Sequence, residues 1–153
     1  MKMKKILLEL FTAILVILFI YTPTSKLLKF HAYTRSMRVQ PLLPALQTFL
    51  IYAVPLSEIV AVILLVIPKT RKAGLYLTLS LLFIFTGYIS LIQLNFYGRI
   101  PCSCGGIFQR LNWEQHLLLN VFLLLISMAA IWLQKNISRH ETHDGKAKSW
   151  ARL

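Results

Sequence analysis

Hydrophobic positions along this chain gather into four long runs separated by short polar, basic stretches. Ile6 to Tyr21, Thr48 to Ile67, Ala73 to Leu94 and Leu117 to Leu133 each approach the ~20 apolar residues that carry a helix across the hydrocarbon core of a bilayer. Only "IPKTRKAG" separates the second and third runs, which forces these two helices to be antiparallel neighbours. The longest connection, Thr22 to Ala45, mixes Leu27, Leu28, Phe30, Tyr33, Met37 and Val39 with Lys and Arg, which suits a segment lying in the membrane interface. Pro41 and Pro44 end it and open the next helix. After Leu133 the sequence "QKNISRHETHDGKAKSWARL" is polar and without periodicity. The expectation is an all-α protein: an integral membrane four-helix bundle over residues 1–134, with an interfacial segment between helices one and two and a polar, frayed cytoplasmic tail over residues 135–153.

Composition sharpens this picture. With 57% hydrophobic residues, a mean hydropathy of +0.65 and a net charge of +12 over 153 residues, an ordinary soluble domain is excluded. The start "MKMKKILLELF" has the basic and apolar regions of a signal peptide but no small-residue cleavage pattern follows, so this run is expected to stay as the first helix. Lys and Arg sit at the ends of the apolar runs and not along one patterned face, which argues against nucleic acid and for anionic lipid headgroups as their partners. Of the 17 Lys and Arg residues, eleven, among them Lys2, Lys69 and Arg139, fall on the side shared by both termini and the loop Pro68 to Lys72. The positive-inside rule then predicts an N-in/C-in topology in a bacterial inner (plasma) membrane, with the loop before the fourth helix facing the periplasm or exterior.

That loop, "RIPCSCGGIFQRLNW", holds both cysteines of the chain. Cys102 and Cys104 are near enough along the backbone to bridge, and so small a ring is strained, which favours an exchangeable bond over a structural one. It also closes almost no loop, leaving little denatured-state entropy for a staple to remove. Gly105 and Gly106 permit positive φ, so that backbone N–H groups can point at a thiolate, and Arg99 and Arg110 are the nearby cations able to favour one. A redox-active disulfide in an oxidising compartment is the expected chemistry.

Three further sets of residues join this reading. His116 and Asn120 fall four residues apart on one face of the fourth helix, just below the cysteine loop; His116 suits proton transfer and Asn120 an interhelical hydrogen bond. Glu58 is an acid inside the second span and needs a partner or a proton there, with Tyr88, Gln93 and Asn120 as the candidates. Glu9, within a turn of the basic N-terminus, reads as a snorkelling surface acid. The aromatic residues Phe83, Phe85, Tyr88, Phe96, Tyr97 and Phe108 suit either an aromatic belt or a quinone pocket, the latter with Tyr88, Gln93 and Asn120 as its polar contacts.

With "SKLLKF" after the first helix, "PLSE" at Pro55 to Glu58, the basic loop and "CSCGG" ahead of a fourth helix bearing Asn120, the chain resembles the DoxX-like redox-associated membrane proteins, and within them the MauE group. It departs from the DoxX-like pattern in lacking a glycine-rich first helix. The resemblance implies a four-helix membrane bundle that forms or shuffles disulfides in exported proteins, with Cys102 and Cys104 as the thiol pair and Glu58 as the family's acid. The expected activity is therefore a membrane thiol–disulfide oxidoreductase in which one cysteine attacks, the other resolves, and His116 or Glu58 manages protons. A single thiol pair cannot relay electrons alone, so a quinone or a thioredoxin-like or other exported thiol protein must receive or supply them. The competing expectation is a non-catalytic membrane scaffold or a metal-binding protein with His116 completing the site.

Overall fold

The apolar runs fold as four long helices in a computed structural model, which describes residues 2–40, 42–94 and 113–150. In chain order the helices are α1 (Lys2–Leu28), α2 (Phe30–Arg38), α3 (Pro44–Val66), α4 (Arg71–Gln93) and α5 (Trp113–Trp150). All but the short α2 contain a stretch long and apolar enough to cross a membrane. No strand occurs among the described residues. The all-α, four-span architecture expected from the hydrophobic pattern is the one observed.

The bundle is an up-down ring: α1 packs on α3 and α5, and α4 packs on the same two. Small residues make this close approach possible, since a lipid-embedded bundle holds together by packing more than by water exclusion. Ala61, Thr78, Ser127 and Ala130 are fully buried between the helices. Leu15, Leu65 and Leu75 fill the space between them. At the α3–α4 hairpin Gly74 lies so close to its neighbour that a Cβ built there would stand 2.7 Å from the backbone nitrogen of Leu65. Thr70 closes that hairpin by donating its hydroxyl to the carbonyl of Leu64 at 3.1 Å, one of the carbonyls that the end of α3 leaves unpaired.

Two boundaries and one side-chain environment differ from the expectation. α1 runs on to Leu28, through Pro23, and so takes the first seven residues of the expected interfacial segment. Pro23 removes one backbone hydrogen bond, but a helix in lipid has no water to compete for its remaining backbone groups and tolerates the loss. α5 continues to Trp150, so the polar tail is helical where fraying was expected. No proline interrupts it after Leu133, and Lys, Arg, Gln, Glu and Ala are good helix formers. Glu9 is exposed as expected, yet it is paired: Arg71 Nη1 of α4 donates to its Oε1 at 2.6 Å.

What remains of the interfacial segment is α2, whose buried face is set by Tyr33 and Met37. Both pack against Ile51 of α3. The opposite face carries the exposed His31, Arg35 and Arg38 at helical spacing. After α2 the chain turns into α3 over a short linker held by one side chain: Gln47 Nε2 donates to the carbonyls of Gln40 at 2.8 Å and Leu42 at 3.0 Å.

Candidate functional site: a polar chamber within the bundle

α1 presents one buried stripe, Leu8, Thr12, Leu15, Phe19, Pro23 and Lys26, at spacings of three and four residues. The last position of that stripe is a lysine. Its Nζ donates to Glu58 Oε1 of α3 at 2.6 Å, and both side chains are shielded, at 10% and 3% exposure. The ammonium also stands over the ring of Phe85 on α4, 5.9 Å from its centroid. Glu58 therefore has a partner in Lys26, a residue outside the expected candidates Tyr88, Gln93 and Asn120.

Above this ion pair opens a cavity of about 290 Å³, lined by all five helices. It reaches from Gln40, Tyr88 and His116 down to Glu58, and the core residues Phe19, Leu82 and Leu123 border it below. Most of the remaining wall is apolar or aromatic: Tyr33, Met37, Val54 and Phe85 among others.

Several polar groups in the wall are held by their own helix or by a neighbour. Gln40, buried at the end of α2, owes its place to Gln47, which grips the backbone beside it. The Tyr88 hydroxyl of α4 donates to Gln40 Oε1 and so ties α4 to the α2–α3 linker. On α5, Asn120 Nδ2 donates to the carbonyl of His116 at 2.9 Å, one turn back along the same helix. This is an intrahelical bond and not the interhelical one expected of Asn120. Two polar atoms of this wall, Glu58 Oε2 and the Thr22 Oγ1 beside it, have no partner at full hydrogen-bond distance among the described residues. Burying such atoms unpaired costs roughly 1–3 kcal/mol each, more where the group is charged.

Four of the seven residues singled out from sequence, Glu58, Tyr88, His116 and Asn120, thus line one cavity. Gln93 ends α4 just beyond Tyr88, and its side chain lies outside the described residues. Cys102 and Cys104 also lie outside them. The helix ends between which they are strung are defined, however: α4 ends five residues after Tyr88, and α5 starts three residues before His116. The cysteine segment therefore attaches at the chamber end of the bundle, opposite the basic α3–α4 hairpin. Among the described residues no group of three or more His, Cys, Asp or Glu side chains gathers as a metal site would require.

Lys26 and Gln40 are the site residues that sequence reasoning missed. Lys26 was legible as the next step of the stripe from Leu8 to Pro23, provided the helix was carried through the proline. Gln40 had no such signal, because its position depends on a linker and on Gln47.

Comparison with curated proteins and with solved structures gives no match for this chain. The family model of the methylamine utilisation protein MauE, by contrast, matches residues 4–133, which takes in all four membrane-spanning stretches apart from the ends of α1 and α5, together with the chamber and the cysteine pair. A multi-pass membrane bundle with this motif, matched over most of its length, belongs to the MauE family.

Proposed function

We propose that this MauE-family protein is a thiol–disulfide oxidoreductase of the bacterial inner membrane that supports disulfide formation or exchange in exported proteins. Its working pair is Cys102 and Cys104, with both termini in the cytoplasm, the cysteine segment on the periplasmic or outer side, and the DoxX-like proteins as its wider kin. The observation that carries this reading is the attachment of the cysteine segment at the end of the bundle where Lys26, Glu58, Tyr88 and His116 converge on one chamber. A buried charged pair at the end of the bundle from which the cysteine segment departs suits a functional site better than a non-catalytic spacer.

In the oxidising direction, a client thiolate attacks one sulfur of the Cys102–Cys104 disulfide and forms a mixed disulfide, while the other cysteine leaves as a thiolate. A second client thiol then attacks the mixed bond, so the client becomes oxidised and the pair reduced. Two electrons and two protons now reside on Cys102 and Cys104 and must pass to an acceptor. In this reading His116, half-buried near the start of α5, holds a proton during exchange. The opposite electron flow uses the same residues in reverse order.

Replacing Cys104 with Ser removes the resolving thiol if Cys102 is the attacked sulfur, and Cys102→Ser covers the other order. One of the two variants is expected to accumulate an adduct with an exported protein on non-reducing gels, released by reductant. Absence of any adduct in both variants under oxidising conditions, with unchanged disulfide content of exported proteins in the double variant, would overturn the proposal.

A further inference from the structure

The geometry points to the chamber above Lys26 and Glu58 as the binding site for the ring of a membrane-borne quinone, held in its oxidised and reduced forms by the same two side chains. This inference deepens the thiol–disulfide reading and rests on it for the source of electrons.

The argument begins with the bonding capacity left over at the ion pair. A lysine ammonium has three N–H donors. One of Lys26 goes to Glu58 Oε1 and its charge faces the Phe85 ring, which leaves donor capacity toward the cavity. Glu58 Oε2 has no donor at full hydrogen-bond distance among the described residues; the Thr22 hydroxyl stands beside the carboxylate and has no such partner either, so the oxygen keeps acceptor capacity toward the cavity. The chamber thus offers a strong donor and a strong acceptor side by side. An anionic ligand would meet the carboxylate and a cationic one the ammonium. A neutral ring bearing oxygen satisfies both: a quinone carbonyl accepts from Lys26 Nζ, and a quinol hydroxyl donates to Glu58 Oε2.

The walls fit the same class. Phe19, Tyr33, Met37 and Phe85 give apolar and aromatic surface around those few polar atoms, and a volume of about 290 Å³ is at the small end of ligand pockets, as a single substituted ring requires. There is also a place for an apolar tail. Tyr21 and Ser25 border both the chamber and an open groove along α1 that Ile17, Ile20 and Leu28 also line. Those three are exposed on the lipid-facing side of the helix.

The stoichiometry closes as well. When Cys102 and Cys104 form their S–S bond, two electrons and two protons are released. One quinone accepts two of each at its two carbonyl oxygens and becomes the quinol.

The test is made on protein in lipid nanodiscs carrying Cys102→Ser and Cys104→Ser, so that binding is read without thiol chemistry. Decylubiquinone and its quinol are titrated by equilibrium dialysis. Both are expected to bind saturably, and at least tenfold more weakly when Lys26→Met and Glu58→Leu are introduced together, a charge-balanced change whose folding is checked by circular dichroism. Glu58→Gln, which keeps the shape of the side chain, is expected to weaken the quinol more than the quinone. Non-saturable binding to the cysteine-free protein, or undiminished binding when the ion pair is replaced, overturns the site. Either result is separate from the adduct experiment, in which the thiol reading stands or falls by itself.

Discussion

Lys26 and Glu58, 32 residues apart in the chain, meet at 2.6 Å inside the bundle and join α1 to α3 by a contact almost closed to solvent. Removing two charges from water is costly, and their attraction recovers that cost only when the geometry is good and the remaining atoms are bonded. Here one carboxylate oxygen is left over. A pair retained at such expense, at the floor of a cavity, fits a binding role better than a stabilising one.

That distinction has a measurable form. Lys26→Met alone leaves Glu58 as an uncompensated buried charge and is expected to destabilise the bundle by about 3–5 kcal/mol. Lys26→Met together with Glu58→Leu removes both charges and should be neutral or stabilising, by up to about 4 kcal/mol. Thermal unfolding in detergent micelles, compared across the wild type, the single and the double variant, decides between these roles. A double variant as unstable as the single one would mean that the pair is a structural clamp.

Gly74 makes a second claim, at the hairpin end. A methyl group there would lie 2.7 Å from the Leu65 nitrogen and 2.8 Å from the Leu64 carbonyl carbon, both backbone atoms that cannot rotate away. Gly74→Ala should therefore force α3 and α4 apart and lower stability by roughly 1–3 kcal/mol, despite alanine's better helix propensity. Gly87, with nothing near its Cβ position, provides the control: Gly87→Ala is expected to be neutral or stabilising. Equal effects at both positions would show that the close approach at Gly74 does not govern packing.

How much of this could be read from the sequence differs by element. The four spans were legible because a run of about 20 apolar residues has few other uses. The end of α1 was not, because Pro23 signals a stop in water and is tolerated in lipid. That one boundary also hides Lys26, because a helix stopped at Pro23 leaves this lysine outside the buried stripe of which it is the last residue. Glu58, Tyr88, His116 and Asn120 were found as separate oddities of a hydrophobic chain; that they share one cavity depends on the rotation and register of four helices, which periodicity alone does not specify. Gln40 was out of reach, since nothing local sets it facing Tyr88.

Thr78 and Ser127 lie deeper in the bundle, fully buried, and neither hydroxyl has a hydrogen-bond partner among the described residues. Leaving such a group unpaired is costly, whereas an apolar side chain of the same shape carries no such cost. Thr78→Val and Ser127→Ala are thus each expected to raise stability by about 1 kcal/mol, read as a higher melting temperature. A loss of similar size in either variant would mean that the hydroxyl is bonded after all, for example through a bound water, and that the helix interface is more polar than its side chains suggest.

The last prediction concerns orientation, on which the redox proposal depends. Lys69, exposed in the basic hairpin, and the cysteine pair are attached at opposite ends of the bundle, so in a membrane they must face opposite sides. Because basic loops tend to be retained in the cytoplasm, the proposed orientation has Lys69 inside and the cysteines outside. A membrane-impermeant maleimide added to intact cells should modify Cys102 and Cys104 only after reduction, two thiols per chain, because an exposed pair in an oxidising compartment rests as a disulfide. In a background lacking both native cysteines, Lys69→Cys should be modified only after lysis. If instead Lys69→Cys is modified in intact cells and the native pair only after lysis, the bundle is inverted, the thiols face a reducing compartment, and a disulfide-forming role for exported proteins is untenable.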